Sequence, residues 1–183
     1  MLHGQCCTRS WQVFSVKAGD RLRIAPATES DLPIILEMVR RLAEFERVPH
    51  RFLATRDTLC NSMFGARAFA EAAIAYVGDQ PAGVAVYFHT FSTFSGLPGL
   101  FLEDLFVESP WRGQGVGKQL LAHVARLAVE RGCDRLDWSV LDWNDPAIGF
   151  YRGVGAAPVD GWINYRLTGD ALTQLAKRTD SDG

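Results

Sequence analysis

No run of this chain is apolar over the roughly 18 residues that a membrane-spanning helix needs, so no membrane partner is expected. The four cysteines, Cys6, Cys7, Cys60 and Cys133, form no CxxC pair. Adjacent Cys6 and Cys7 suit a disulfide framework poorly, which points to a reduced, cytoplasmic protein. The four histidines, His3, His50, His89 and His123, are scattered without metal-ligand spacing, and no metal is expected. Net charge is only −2, which gives no reason to expect nucleic acid as a partner. The first 20 residues hold no continuous apolar segment and no convincing cleavage site, so a secretory signal is not expected there. They read as a loosely ordered extension, or as a start placed too early. Repeats, long linkers and low-complexity tracts are also missing. What remains is one domain, 48% hydrophobic and 22% charged, as is ordinary for a soluble globular protein.

The patterning is clear through most of that domain. RLRIAPA (21–27) alternates as a short strand. In the next segment Leu32, Ile35, Leu36, Val39, Leu42 and Ala43 recur at helical spacing, with Thr28 or Ser30 available as a cap. A short helix over 57–64 ends near Gly65. AAIAYV and AGVAVYFHTF flank GDQP as a hairpin would, and GLFLEDLFVES reads as a buried strand. A helix from Val116 buries Leu120, Leu121, Val124, Leu127 and Ala128 and stops at Gly132. RLDWSVLDW (135–143) is expected as a strand, NDPAIGFYRGVGA as a short helix from near Asp145, GWINYRL (161–167) as a last strand, and GDALTQLAKR as a closing helix. This order implies a mixed sheet flanked by helices.

Between the strong strand and the long helix lies WRGQGVGKQLL, with Gly113, Gly115 and Gly117 in five residues. The first N–H groups of a helix have no intrahelical partners, and the helix dipole adds partial positive charge there. Glycines permit positive φ and clear the side chains away, so successive amides can converge on a phosphate or pyrophosphate. Two nucleotide patterns fail. A P-loop would need glycine at Arg112 and a hydroxyl at Gln119, and the dinucleotide fingerprint would need glycine at Lys118.

What stands is Arg112-x-x-Gly115-x-Gly117 after Glu103-Asp104-Leu105-Phe106-Val107. This resembles the GNAT N-acetyltransferases, whose R/Q-x-x-G-x-G/A loop holds the pyrophosphate of acetyl-CoA. RIAPATESD, LAEFE, LEDLFV, RGQGVG, DWNDPAIGFY and the terminal GW follow, in order, the motifs of the diamine (spermidine/spermine) and thialysine branch. The resemblance covers about residues 21–176, leaving 1–20 as an extension and 177–183 as a tail. It implies the GNAT α/β (α+β) fold, with a mixed, mostly antiparallel central sheet flanked by helices. It also implies acetyl-CoA as cosubstrate and a homodimer.

Amine acetylation needs a proton acceptor, because a lysine-like ammonium has a pKa of about 10.4, and a proton for the departing thiolate. Glu103, at the C-terminal part of the buried strand, is the candidate base, and the resemblance implies that it works through a water. Asp104 is expected on the other strand face if the strand is regular, which leaves it out of the catalytic set. Tyr151 matches the tyrosine beside the departing sulfur and is the candidate acid, while Phe150 is expected to pack in the core. The resemblance further places Leu105, Phe106 and Val107 along the acetyl and pantetheine arm. It puts Arg112, Gly113, Gln114, Gly115, Val116 and Gly117 at the pyrophosphate, and Asn144, Asp145, Pro146, Ala147 and Tyr151 against CoA. Asn144 and Asp145 are equally plain helix caps. By resemblance Phe45, Glu46, Glu103, Asp137 and Asp160 fall at the amine site. Two departures put diamine selectivity in doubt: Phe45 stands where the family has tyrosine, and Asp160 where it has glutamate. The expected activity is direct acetyl transfer in a ternary complex to a primary amine of a small cationic substrate, whether a diamine, a polyamine or a thialysine-like amino acid. Protein or peptide acetylation and a non-catalytic acyl-CoA sensor are the alternatives.

Overall fold

The structure is a computed structural model and describes residues 21–178. Cys6, Cys7 and His3, and the extension and most of the tail expected from the sequence, lie outside the described residues. Two compact units divide them, the first running to Leu141 and the second beginning at Asp142.

The first unit is built on a five-stranded sheet in chain order: β1 (Leu22–Pro26), β2 (Glu71–Val77), β3 (Gln80–Phe91), β4 (Pro98–Val107) and β5 (Leu136–Trp138). The first four strands pair antiparallel and β5 runs parallel to β4, the mixed and mostly antiparallel sheet expected. Two helices, α1 (Leu32–Phe45) and α2 (Arg56–Phe64), pack on one face. Their Ile35, Met38 and Met63 meet Ala72, Ile74, Val84, Val86 and Phe106 in a continuous apolar core. The helical spacing of the sequence finds Ile35 but not Met38, whose flexible side chain fills the space under the sheet. The long helix α3 (Val116–Glu130) covers the other face with Val116, Leu120, Leu121, Val124 and Ala128. A Cβ on Gly83 of β3 would lie 2.6 Å from the Phe106 carbonyl and 3.1 Å from Leu120 Cδ1, so that glycine permits the close approach of α3.

Helix α1 starts where Asp31 accepts hydrogen bonds from the Thr28 N–H and hydroxyl, each at 2.8 Å. It ends at Glu46, after which Arg47 takes a left-handed φ of 63°. Val48 N–H then donates to Ala43 C=O at 2.9 Å, closing the last turn.

The second unit holds α4 (Asp145–Gly153) and α5 (Gly169–Arg178). Two expectations fail here and at its border. The strand over 135–143 shrinks to Leu136–Trp138, because only Leu100, Phe101 and Leu102 offer it partners. GWINYRL forms no strand: residues 162–168 carry no regular structure, and Trp162, Ile163 and Tyr165 are 76%, 78% and 92% exposed. Its alternation has the right period, but no neighbouring strand receives its backbone. No helix among the described residues is long and apolar enough to cross a membrane.

Candidate active site

The glycine loop has the form that anion binding requires. Gly113 and Gly115 have φ of 74° and 82°, which side-chain-bearing residues rarely adopt. A Cβ at either would meet nothing within 4 Å, so the surface beside both is open. Gly115 is the N-cap of α3, and no side chain caps that end. The loop is braced from its outer side: Arg112 Nε donates to Val107 C=O at 2.8 Å and Gln114 Nε2 to Pro110 C=O at 2.7 Å. Trp111 anchors the short 3-10 turn Ser109–Trp111 in the core. The Arg112 guanidinium also lies 5.0 Å from the Phe45 ring and 5.5 Å from the Phe106 ring.

These contacts give Phe45 a role beyond the amine site where the resemblance places it. Its ring, 41% exposed, supports the arginine that braces the glycine loop. Loss of one half-exposed cation–π contact is worth about 0.5–1 kcal/mol. Phe45→Ala is therefore expected to weaken acetyl-CoA binding about three-fold, and Phe45→Tyr to leave it unchanged, as calorimetry will show. A second tie joins the same helix to the loop. Arg41 donates to both Glu108 carboxylate oxygens at 3.0 and 2.9 Å and to Glu37 at 2.8 Å.

Strand β4 departs from regularity where the candidate base sits. Val86 pairs with Asp104 and Tyr87 with Leu102, so Glu103 is an extra residue opposite neither. Cross-strand partners share a face, and Asp104 thus joins Val86 on the α1 side of the sheet. Glu103, next to Leu102 on the α3 side, points the same way by alternation. The expectation that Asp104 faces away is corrected: the bulge turns two successive carboxylates to one face. Glu46, at the end of α1, completes the group. Burial, then the Glu103 charge, raises the Glu46 pKa. Burial, then the charges of Glu103 and Glu46, pushes the Asp104 carboxyl up to about 7. Three mutually repelling carboxylates on a partly dry face form a cation-binding arrangement.

Asp137 lies on the same face, since it pairs with Phe101 on β5, but Arg135 Nε donates to it at 2.8 Å. Beyond Leu102, the β5-side edge of β4 from Glu103 to Val107 has no strand partner among the described residues, so backbone groups of Leu105 and Phe106 join no ladder on that side. Val107 differs, because its C=O already accepts from Arg112.

Within the second unit, Asn144 Oδ1 accepts from Ala147 N–H at 3.4 Å, so Asn144 is a helix cap, with Asp145 and Pro146 in the first turn of α4. The Tyr151 ring is 5.2 Å from that of Phe150, and both side chains are half-buried. Phe150 is therefore not the core residue expected. Asp160 is exposed in a turn. Among the described residues no group of three or more His, Cys, Asp or Glu could hold a metal ion.

The open glycine loop at the mouth of α3 suits an anionic group, and the acidic bulge suits a cation. Residues 36–156 match the model of the acetyltransferase (GNAT) family, and the chain belongs to that family. The chemistry is N-acetyl transfer, with acetyl-CoA the donor that GNAT acetyltransferases use. A mouse (Mus musculus) thialysine N-epsilon-acetyltransferase is 34% identical over 167 residues, covering 85% of this chain and 98% of the mouse protein. An L-ornithine N5-acetyltransferase of Arabidopsis thaliana is 30% identical, covering 85% and 88%. Among solved structures, an integron cassette protein from the mobile metagenome of V. cholerae superposes with a TM-score of 0.70 at 28% identity, covering 85% of this chain and 98% of that one.

Proposed function

We propose that this chain acetylates the terminal primary amine of a small cationic substrate, a thialysine-like or ornithine-like amino acid or a short diamine or polyamine, by direct transfer in a ternary complex. The observation that carries the reading is the gathering of Glu46, Glu103 and Asp104 on one sheet face, where an ammonium would relieve their repulsion. The named activities of the mouse and Arabidopsis relatives share that chemistry, an amine at the end of a short alkyl chain. In this reading the amides of Gly113, Gln114, Gly115, Val116 and Gly117 hold the pyrophosphate. Leu105, Phe106 and Val107 run beside the pantetheine arm, and Asn144, Asp145, Pro146 and Ala147 contribute to CoA binding. Glu103 takes the amine proton and Tyr151 returns one to the sulfur. Phe45, Asp137 and Asp160 line the amine side. The catalytic domain spans 21–176, and the protein is a cytoplasmic homodimer. The apolar surface at Trp162, Ile163 and Tyr165 supports the dimer.

Incubation with acetyl-CoA and a panel of diamines, polyamines, amino acids and peptides, read by released thiol, tests the substrate class. Thiol release with short ammonium-bearing substrates is expected. Release with peptides alone would refute the reading. Glu103→Gln and Tyr151→Phe are each expected to lower kcat about 100-fold, the usual scale of a lost acid or base, with CoA affinity changed less than three-fold. Unchanged turnover in both variants would remove the assigned roles.

A further inference from the structure

We propose that Arg41, acting through Glu108, is a positioning residue for acetyl-CoA: the pair fixes the stretch of chain that leads into the glycine loop, so that the loop's amides are in place before the donor arrives. The inference rests on the reading above in which those amides hold the pyrophosphate.

Strand β4 ends at Val107, and residues 108–112 carry the chain from there to Gly113. Helix α1 holds both ends of that stretch. At the near end Arg41 Nη1 donates to the two Glu108 carboxylate oxygens at 3.0 and 2.9 Å, across 67 positions of sequence. At the far end the Phe45 ring lies 5.0 Å from the Arg112 guanidinium. Arg41 and Phe45 are one turn apart, so a single stripe of α1 reaches both ends. Arg41 is itself held, because its Nε donates to Glu37 at 2.8 Å. The Glu108 N–H donates to Ala82 C=O on β3 at 2.9 Å, and Trp111 is buried. The ion pair is partly shielded: the side chains of Arg41 and Glu108 are 28% and 16% exposed, which reduces screening by dissolved ions.

Removing Arg41 has two consequences of the same sign. The lead-in loses its tie to α1, and the loop must then be ordered as the donor binds, at a cost in affinity. Glu108 also keeps a poorly solvated carboxylate without that cation, in the chain that leads to an anion site, where negative charge opposes a diphosphate. Neither consequence touches the thioester carbonyl or the amine. The loss therefore falls on donor binding and leaves the chemical step alone. The tie belongs to the pair, so once the Glu108 carboxylate is gone Arg41 contributes nothing further to the loop.

The test is a double-mutant cycle in the full chain, with acetyl-CoA affinity read by calorimetry and steady-state kinetics alongside. Arg41→Met is expected to weaken acetyl-CoA binding about 10-fold and to raise its KM, with kcat and the amine KM held within about two-fold. Glu108→Gln is expected to cost about three-fold, since it loosens the tie but strands no charge. Adding Arg41→Met to Glu108→Gln is expected to cost nothing more, whereas independent effects would multiply to about 30-fold. Arg40→Met removes the same charge from the same helix, but Arg40 donates to Glu37 and Glu44 within α1, and affinity should hold within about two-fold. Multiplied losses, an Arg40→Met loss equal to that of Arg41→Met, or a fall in kcat with acetyl-CoA affinity unchanged would each overturn the inference. Should Arg41→Met fail to fold, the comparison of Glu108→Gln with the double variant decides alone. Wild-type affinity in Arg41→Met, with binding lost in Gly115→Val, would overturn this inference and leave the loop reading intact. Binding that survives Gly115→Val would overturn the loop reading itself.

Discussion

Gly115→Val should weaken acetyl-CoA binding by at least about 100-fold, or about 2.7 kcal/mol. Two effects combine. At φ 82° a β-branched residue is strained by about 1–2 kcal/mol, so the turn would relax and its amides would lose their convergence. Its side chain would also project into the open surface beside the loop, where nothing now lies within 4 Å. Because that space is open, the fold itself should survive, and an unchanged circular dichroism spectrum is the control. Gly113→Ala places only a methyl group at φ 74° and should weaken binding less, by about 10-fold. Calorimetric titration reads both. Wild-type affinity in Gly115→Val would mean that the loop does not hold the donor.

Asp104→Asn should stabilise the fold above neutral pH. The folded protein raises the Asp104 pKa from an ordinary value of about 3.9 to about 7. An acid raised in the folded state favours folding fully below its unfolded pKa, and that contribution is lost as pH climbs from about 4 through about 7. Asparagine carries no charge and escapes the loss. With the half-buried side chain screened by water, the gain at pH 8 should be about 1–2 kcal/mol, or about 3–8 °C in Tm. At pH 3, below both pKa values, the two proteins should melt together. Equal Tm differences at pH 3 and pH 8 would contradict the assigned titration.

Much of this arrangement was legible in the sequence, for identifiable reasons. Helices α1 and α3 announce themselves because one stripe of each is apolar, and the hairpin of β2 and β3 because GDQP separates two apolar runs. The glycine loop is readable because residues with positive φ leave a chemical mark. The bulge leaves none. In LFLEDLFV, Leu102 and Leu105 face α3 while Phe101 and Phe106 face α1, so the strand is apolar on both sides and an inserted residue breaks no visible alternation. The signal that could have exposed Asp104 is the ionisable pair itself, set inside an otherwise apolar run. GWINYRL fails for the converse reason: period alone cannot supply a neighbouring strand. The shortness of β5 is likewise set by β4, which offers it three partners. The branch motifs in chain order pointed to the family that the family match shows, since six short segments rarely align by chance.

The central claim is that the bare amides at the mouth of α3 grip the diphosphate of acetyl-CoA. The most direct measurement follows backbone amide resonances of the full chain during titration with acetyl-CoA. The largest shifts are expected at Gly113, Gly115, Val116 and Gly117, with smaller ones along Leu105 and Phe106. Saturable binding that leaves those four amides unmoved would contradict the account.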